Sequence, residues 1–468
     1  IRSPSANGCT GLPIGVMHPQ GSNRQKRNLG LWSAAGVVVC GMVGAGIFTT
    51  TGLHAAELGS GWAVMLVWAV GGLLALCGTL TYIELAALWP EAGGSYVFVR
   101  NIYGPMSGFV VGLSVAIVGI MGSMAVVGLT LGAYFQKVVP SVSPGTVATV
   151  AVVVATLVHC FGVRESNAVN QLGALFKIIL LTGLVCWGFS VDATAATPPP
   201  SVGGEPTGLS SSVFGSAMAA VAFAYLGWDN PTYIAGEIRN TKRSLKWGMT
   251  LGMLAVTALY LLVNWVFLRA AAPHEMIHPD GSPVVDIGRF AAVRLFGETV
   301  GGTFNILILL VLFSNLSLTA MVGARVFYSM GRKGELPGAL TILNRRGSPV
   351  IALAVQCAGV LLLIRFTGLK DLLESVGVIL TVISGATVLG VILLRIRRPG
   401  LPRPFRVPLY PVPPVIYLLL TVWMAWSVFR SNPTSIILTL GTIGVTLAVW
   451  FGFSRRHSRP PSSGDTAA

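Results

Sequence analysis

The feature that most constrains this chain is a series of long apolar runs separated by short polar segments. A helix needs roughly 20 apolar residues to cross a bilayer. By this criterion we predict twelve spans, at 29–57, 62–88, 105–136, 146–162, 166–190, 212–236, 246–271, 301–331, 349–366, 371–395, 410–430 and 434–454. Only 10% of the residues are charged, against about 25% in a soluble protein. The sequence therefore predicts an all-α polytopic membrane protein.

The basic residues fall in short clusters between the apolar runs, so the net charge of +15 does not indicate nucleic acid as a partner. With the N-terminus in the cytoplasm, twenty-one Lys and Arg residues lie in inner segments and seven in outer ones. Cytoplasmic loops are enriched in Lys and Arg. We therefore predict that both termini are cytoplasmic and that the protein lies in the inner (cytoplasmic) membrane.

The same pattern divides the chain into five parts. These are a disordered cytoplasmic N-terminal tail (1–28), a ten-helix core (29–395), a Pro- and Arg-rich cytoplasmic linker (396–409), a two-helix hairpin (410–454) and a cytoplasmic tail (455–468). The acidic, Pro-containing outer loop at 270–300 leaves two interpretations open, a lid with short helices and a solvated connection. We favour the lid.

The first run contains the segment GMVGAGIFTTTG at 41–52, which is poorly suited to a continuous helix. Glycine in a helix interior costs about 0.5–1 kcal/mol relative to alanine, and here Gly44 and Gly46 flank Ala45. A helix broken at mid-membrane leaves unpaired backbone groups, which are tolerated only where they are buried in protein or line a cavity. The segment alone supports two interpretations, a binding site at the break and close helix packing through small residues.

A second interruption lies in the sixth run, where FAYLGWDNPTYIAGEIRN covers 223–240. Pro231 removes a backbone donor, and Asn230 followed by Pro231 is a favourable helix start. We therefore expect one helix to end near Phe223–Leu226 and another to begin at Pro231. Interrupted helices five spans apart are typical of two inverted repeats whose broken members meet at the midplane. This coincidence favours a binding site at both breaks.

Four motifs resemble the amino acid–polyamine–organocation superfamily: GMVGAGIF at 41–48, YIELAALWPEAGGSYVFVRNIYGP at 82–105, FAYLGWDNPTYIAGEIRNTKR at 223–243 and ARVFYSMGRKGELP at 324–337. Within it, the chain is similar to bacterial relatives of the L-type and cationic amino acid transporters. The resemblance implies a LeuT-type fold, a 5+5 inverted repeat with broken helices 1 and 6 and two extra C-terminal helices. It also implies alternating-access transport of amino acids.

Every amino acid presents a carboxylate and an ammonium group, and main-chain dipoles at a helix break suit both. The main-chain groups that suit the carboxylate lie at the first break, at Gly44, Ala45, Gly46 and Ile47. The carbonyls that suit the ammonium end the first half-helices, at Met42, Phe223 and Leu226. The resemblance also makes Phe223 the aromatic side chain that closes over the substrate. We expect Ser123 of span three and Asn315 of span eight to line the side-chain pocket.

Two ionisable residues near the midplane are candidates for coupling. Lys177 lies about halfway along the fifth run, where an unpaired cation is expensive. In the resembling family a lysine here faces the broken first helix, where sodium binds in sodium-coupled relatives. We therefore expect its ammonium to bond carbonyls near Gly41 and Met42. For Asp229 two roles stay open, a proton-sensitive carboxylate as in some relatives and stabilisation of the positive N-terminus of the following helix.

The predicted function is secondary active transport of L-amino acids, with proton symport, uniport and exchange all open. Neutral substrates are favoured, because no intramembrane carboxylate clearly awaits a cationic side chain. The runner-up is a cationic amino acid or polyamine carrier, and an amino-acid-sensing receptor without transport is an alternative of another class. No enzyme function is expected, because the sequence has no HExxH, GxSxG or paired intramembrane Asp.

The expected partners are the amino acid, the lipid bilayer and, as candidate coupling ions, protons. We expect no cofactor and no metal, since the six cysteines lack metal-ligand spacing. Eukaryotic relatives bond a glycoprotein through a cysteine between spans three and four. The loop at 137–145 has no cysteine, so no disulfide-linked heavy subunit is predicted.

Overall fold

The computed structural model describes residues 30–457 except 92, 161–166, 192–210, 234, 236–237 and 346. The predicted N-terminal tail and most of the C-terminal tail lie outside the described residues. So do the connection between spans four and five and most of the outer loop before span six.

Helices provide almost all of the regular structure. The α-helices are α1 (Leu31–Met42), α2 (Ala45–Leu58), α3 (Gly61–Leu88), α4 (Gly94–Tyr103), α5 (Pro105–Ser114), α6 (Ser123–Gln136), α7 (Pro144–Cys160), α8 (Asn167–Ser190), α9 (Ser211–Ala224), α10 (Asn230–Tyr233), α11 (Thr241–Ala270), α12 (Ile287–Phe296), α13 (Glu298–Arg332), α14 (Val350–Phe366), α15 (Leu369–Arg397), α16 (Val412–Ser431) and α17 (Pro433–His457). A π-helical segment, Val115–Gly122, joins α5 to α6, and 3₁₀ turns cover Pro273–Glu275 and Gly338–Thr341.

Many of these helices are suited to cross a membrane. Within the described residues, seven are long and apolar enough, and the bent pair of α1 and α2 makes an eighth span. Shorter apolar helices at Pro144–Cys160, Leu175–Ser190, Ser212–Ala224 and Val350–Phe366 lie at predicted spans four, five, six and nine. The all-helical, multi-pass class is thus confirmed. The twelve-span LeuT-type arrangement stays a prediction.

The first broken helix lies inside the helical assembly. α1 packs on α11 and α2 packs on α9, while α9 also contacts α3, α15 and α16. Every residue of α2 from Ala45 to Ala55 is buried. On α16, in contrast, Leu419 and Val422 are 66% and 68% exposed, as expected for a helix with a lipid-facing side. The chain therefore encloses α2 on all sides.

The outer loop at 270–300 covers α2. Its 3₁₀ turn and α12 both pack on this helix, and a side chain at Gly52 would overlap the Val284 carbonyl. Tyr134 of α6 connects α2 to α12. Its hydroxyl donates to the Phe48 carbonyl (2.7 Å) and accepts from the Gly288 N–H (3.1 Å). The loop thus contains the short helices that a lid requires, although the lid itself stays a prediction.

The linker after α15 is fixed to α3 by one buried carboxylate. Glu84 is 1% exposed and accepts hydrogen bonds from Arg395 at 3.1 and 2.5 Å and from the Val407 N–H at 2.8 Å. Arg403 Nε lies 3.3 Å from the same carboxylate. α15 continues to Arg397, two residues into the predicted linker at 396–409, whose bounds stay a prediction. Glu84 therefore ties α3, α15 and the linker together at one end of the bundle.

Candidate functional site

The first break separates α1 from α2, whose axes are bent by 42°. Val43 and Gly44 are the non-helical residues, and Gly44 has φ −145° and ψ −148°. Ala45 and Gly46 therefore belong to the second half-helix rather than to the interruption. Gly44 provides no side-chain cap, so the first N–H groups of α2 depend on another partner. A buried, uncapped helix N-terminus favours an anion.

The second break follows α9, which ends at Ala224, inside the predicted range of Phe223–Leu226. Residues 225–229 form turns, and Gly227 has a φ of +104°, which only glycine adopts readily. The short helix α10 begins at Asn230, one residue before the expected start, and contains four residues. Turns at this depth are tolerated only where protein surrounds them.

The two breaks touch each other through glycines. A Cβ atom on Gly227 would lie 2.7 Å from the carbonyl carbon of Gly41, and one on Gly41 would overlap the side chain of Asn230. A Cβ atom on Gly46 would lie 2.5 Å from the Cα of Ala224 at the end of α9. The two interrupted segments therefore approach at backbone distance, which any larger residue would prevent.

Tyr260 of α11 connects both broken helices and is absent from the sequence-based predictions. Its hydroxyl is fully buried and lies 2.7 Å from the Met42 carbonyl and 3.1 Å from the Ala224 carbonyl. These carbonyls belong to the last residues of α1 and α9. A buried tyrosine hydroxyl requires a partner, and that requirement is the only signal in the sequence that could have indicated Tyr260.

Lys177 lies beside the first break, near the end of α1. The side chain is 2% exposed, and its Nζ donates to the Cys40 carbonyl at 3.3 Å. The acceptor precedes the predicted carbonyls of Gly41 and Met42 by one and two residues. The ammonium group thus joins α8 to the end of α1.

The expected ammonium acceptors are partly occupied. The Met42 carbonyl faces Tyr260, and the Phe223 carbonyl accepts from the Leu226 N–H at 3.0 Å. Carbonyl oxygens have two lone pairs, so each retains capacity for a second donor. Asp229 lies in the turns of the second break, where its main-chain carbonyl accepts from the Thr232 N–H and hydroxyl.

The predicted pocket residues lie at different distances from the first break. Asn315 of α13 is the near one, because a Cβ atom on Gly44 would overlap its side-chain amide. Phe223 is 8% exposed at the end of α9. Ser123 is partly buried at the start of α6, directly after the π-helical segment. The structure therefore brings Asn315 to the break and gives Ser123 a place on a neighbouring helix.

The sequence profile of the Amino acid permease family matches residues 29–449. This range contains both broken helices, Lys177 and Tyr260. The chain belongs to the amino acid permease family. Members of this family transport amino acids. The predicted resemblance to the amino acid–polyamine–organocation superfamily is thus confirmed.

Several known amino acid transporters are similar to the chain over most of their length. The chain is 27% identical to the large neutral amino acids transporter small subunit 2 of Mus musculus, over 86% of this chain and 77% of that protein. It is 27% identical to the Asc-type amino acid transporter 1 of Mus musculus, over 87% of this chain and 77% of that protein. It is 26% identical to the serine/threonine exchanger SteT of Bacillus subtilis, over 94% of this chain and 100% of that protein.

Proposed function

We propose that this permease exchanges neutral L-amino acids across the cytoplasmic membrane by alternating access. The names of its relatives support this choice, since they describe transporters of large neutral amino acids and an exchanger of serine and threonine. The exchange mode is preferred to proton symport on that basis. A cationic amino acid carrier is the runner-up.

The observation that carries the proposal is the contact between the two buried breaks. The uncapped start of α2 offers N–H groups to a carboxylate. The carbonyls at the ends of α1 and α9 are offered to an ammonium group. Main-chain recognition of this kind is independent of the substrate side chain. The side chain would then face Asn315, Ser123 and Phe223.

Two side chains are proposed to couple binding to the movement of α1. Lys177 holds Cys40 near the end of the helix, and Tyr260 holds its last residue, Met42. Movement of α1 would have to break these bonds or carry their donors along. Asp229 is proposed as a stabiliser of the second break, with protonation of its carboxylate as the alternative role.

The proposed arrangement in the membrane is the twelve-span LeuT-type fold with both termini in the cytoplasm. Eight spans are long and apolar enough to cross a membrane, and the four shorter apolar helices would bring the number to twelve. The connection between α6 and α7 contains no cysteine, so the proposed transporter works without a disulfide-linked subunit. The membrane orientation is tested by labelling single cysteines placed on either side.

The deciding experiment is uptake of labelled amino acids into proteoliposomes that contain the purified protein. We expect serine, threonine or another neutral amino acid to enter only when a neutral amino acid is present inside. Arginine should not compete, and an imposed pH gradient without internal substrate should not drive uptake. Competition by arginine would favour the cationic carrier, and binding without flux in sealed vesicles would favour a receptor.

A further inference from the structure

Three segments of the chain meet at the end of the bundle where α1 and α11 begin. A Cβ atom on Gly248 of α11 would lie 2.8 Å from the Leu31 carbonyl oxygen and 2.7 Å from the Cβ atom of Ala34. The first turns of α1 and α11 are therefore in contact. The linker after α15 reaches the same place, since the ring centroid of Phe405 lies 5.8 Å from the Nζ of Lys246. In the proposed topology this end of the bundle faces the cytoplasm.

Lys246 contacts two aromatic rings at this place. Its Nζ lies 4.9 Å from the ring centroid of Trp247 and 5.8 Å from that of Phe405, within the distance of about 6 Å at which a cation is attracted to a ring face. Trp247 is 45% exposed, and tryptophan is enriched where a membrane meets water. The two rings therefore hold the ammonium group at the level of the lipid headgroups.

Two arginines add positive charge beside Lys246. Arg243 precedes Lys246 by three residues on α11, so both side chains lie on one face of that helix. Arg406 directly follows Phe405 in the linker, and both arginines are exposed. In the described part of the chain none of these three cations is within ion-pair distance of a carboxylate. They form a group whose charge the described protein does not compensate.

The linker part of this group is anchored rather than loose. The Val407 N–H donates to the buried Glu84 carboxylate at 2.8 Å, and Val407 is 4% exposed. The same carboxylate pairs with Arg395 and Arg403, so the charges of those two arginines are already compensated. Arg406, directly before Val407, is thus held at a fixed place on the surface. The enrichment of Lys and Arg in cytoplasmic loops explains the sign of the charge but not this arrangement.

We propose that Arg243, Lys246 and Arg406 bind the phosphate headgroup of an anionic phospholipid of the inner leaflet. The surface of that leaflet is negative, and basic pockets between helices on the cytoplasmic side suit anionic headgroups. A lipid is favoured over a soluble phosphate because large apolar side chains are exposed close to the cations. Trp32 in the first turn of α1 is 79% exposed, and Leu409, three residues after Arg406, is 82% exposed. Such side chains suit acyl chains.

A lipid at this place would touch both α11 and the linker, beside the start of the broken helix α1. It would therefore connect the core of the bundle to the segment that leads into the last two helices, α16 and α17. The leaflet follows from the proposed topology, whereas the binding itself does not depend on the proposed transport function. Lipid binding and transport can thus be tested separately.

The test measures lipid binding to the purified full-length protein by native mass spectrometry. Phosphatidylglycerol and phosphatidylcholine with identical acyl chains are the probes, so only the headgroup charge differs. We expect phosphatidylglycerol to bind at least about tenfold more tightly, and an excess of soluble glycerol phosphate should not displace it. Equal affinities for the two lipids would overturn the proposal. Displacement by glycerol phosphate would indicate a site for soluble phosphates and would overturn the assignment to a lipid.

The double variant Arg243→Gln with Arg406→Gln should weaken the binding of phosphatidylglycerol by about tenfold or more, because each basic residue near an anionic surface adds to the attraction. The matched control is Arg332→Gln with Arg345→Gln, which removes two other exposed arginines and gives the same net charge. This control should keep the affinity of the parent within about twofold. Equal weakening by the two double variants, or no weakening by the first, would overturn the proposed site.

Hydrogen–deuterium exchange of the parent protein in nanodiscs locates the lipid without any variant, so the proposal stays testable if the first double variant does not fold. Main-chain amides at 241–247 and 398–406 should exchange more slowly in phosphatidylglycerol than in phosphatidylcholine, while those at 338–347 should not change. Unchanged exchange at 398–406 would contradict the site. Absence of amino acid exchange in proteoliposomes would refute the proposed function, while these measurements would still decide whether the lipid binds.

Discussion

At the scale of single residues, the candidate site contains polar side chains that form hydrogen bonds with the main chain at the end of a broken helix. Tyr260 and Lys177 come from different helices, and both reach carbonyls in the last turn of α1. Each side chain is buried, so each needs an acceptor, and the carbonyls of Met42 and Cys40 supply one. These hydrogen bonds therefore satisfy both the buried side chains and the carbonyls at the end of α1.

Replacing Tyr260 with phenylalanine should slow exchange by about tenfold, because one buried hydrogen bond contributes about 0.5–1.5 kcal/mol and its acceptors become unsatisfied. The ring contacts with Trp68 and Tyr225, at 5.3 and 5.2 Å between centroids, should persist. The control is Tyr225→Phe, whose hydroxyl donates to the Trp68 carbonyl of α3. Equal slowing of exchange by both variants would show that Tyr260 has no special role.

Lys177→Met should reduce exchange by at least about tenfold, since hydrogen bonds to charged groups contribute about 1.5–3 kcal/mol. The thermal midpoint should not fall, because the variant removes a cation that is costly to bury. Cys40→Ala is the control, since it keeps the carbonyl that accepts the bond. Near-normal exchange in Lys177→Met would refute the coupling role.

Of these two residues, only Lys177 was predictable. A lysine inside an apolar run is expensive to bury, so the sequence alone makes it a candidate for a functional role. Tyr260 gives no such signal, because a tyrosine is an ordinary residue in a membrane helix. The carbonyls that its hydroxyl contacts are also far from it in the sequence.

At the scale of elements, the breaks depend on the absence of side chains as much as on the helices themselves. Gly227 has a positive φ and faces the backbone of Gly41. The first break was predictable from Gly44 and Gly46, and the end of α9 from the turn residues after it. The start of α10 at Asn230 was predictable to within one residue, because Asn followed by Pro is a favourable helix start.

Gly227→Ala should abolish exchange and lower the free energy of unfolding by about 1–3 kcal/mol, through a strained backbone and a clash with Gly41. Circular dichroism and thermal unfolding would measure the stability, with uptake measured beside it. Gly36→Ala on α1 is the matched control, since nothing lies within 4 Å of its Cβ position. Unimpaired exchange in Gly227→Ala would mean that the two breaks do not need this contact.

At the scale of the whole molecule, the helical class, the family and the third span, Pro105–Gln136, follow from apolar runs and motifs. The tertiary connections do not, because they join residues that are distant in sequence. Glu84 is the clearest case, since its partners Arg395, Arg403 and Val407 all come from the far end of the chain.

Glu84→Gln should lower the free energy of unfolding by about 3–5 kcal/mol, because it leaves the guanidinium group of Arg403, whose side chain is 7% exposed, without its counter-charge. Glu298→Gln is the control, since that carboxylate is 74% exposed in its pair with Arg289 and should contribute no more than about 1 kcal/mol. Thermal unfolding in one detergent would compare the two variants. An equal decrease in stability for Glu84→Gln and Glu298→Gln would show that the burial of Glu84 does not strengthen its contribution.

The Glu84 contact has a mechanical consequence for the bundle. It pins α3 to α15 near the cytoplasmic surface in the proposed topology, so these two helices can separate only at their opposite ends. A pivot at one end of two rods converts a small rotation into a larger displacement at the other. Any separation of α3 from α15 is therefore largest at the end of the two helices opposite Glu84.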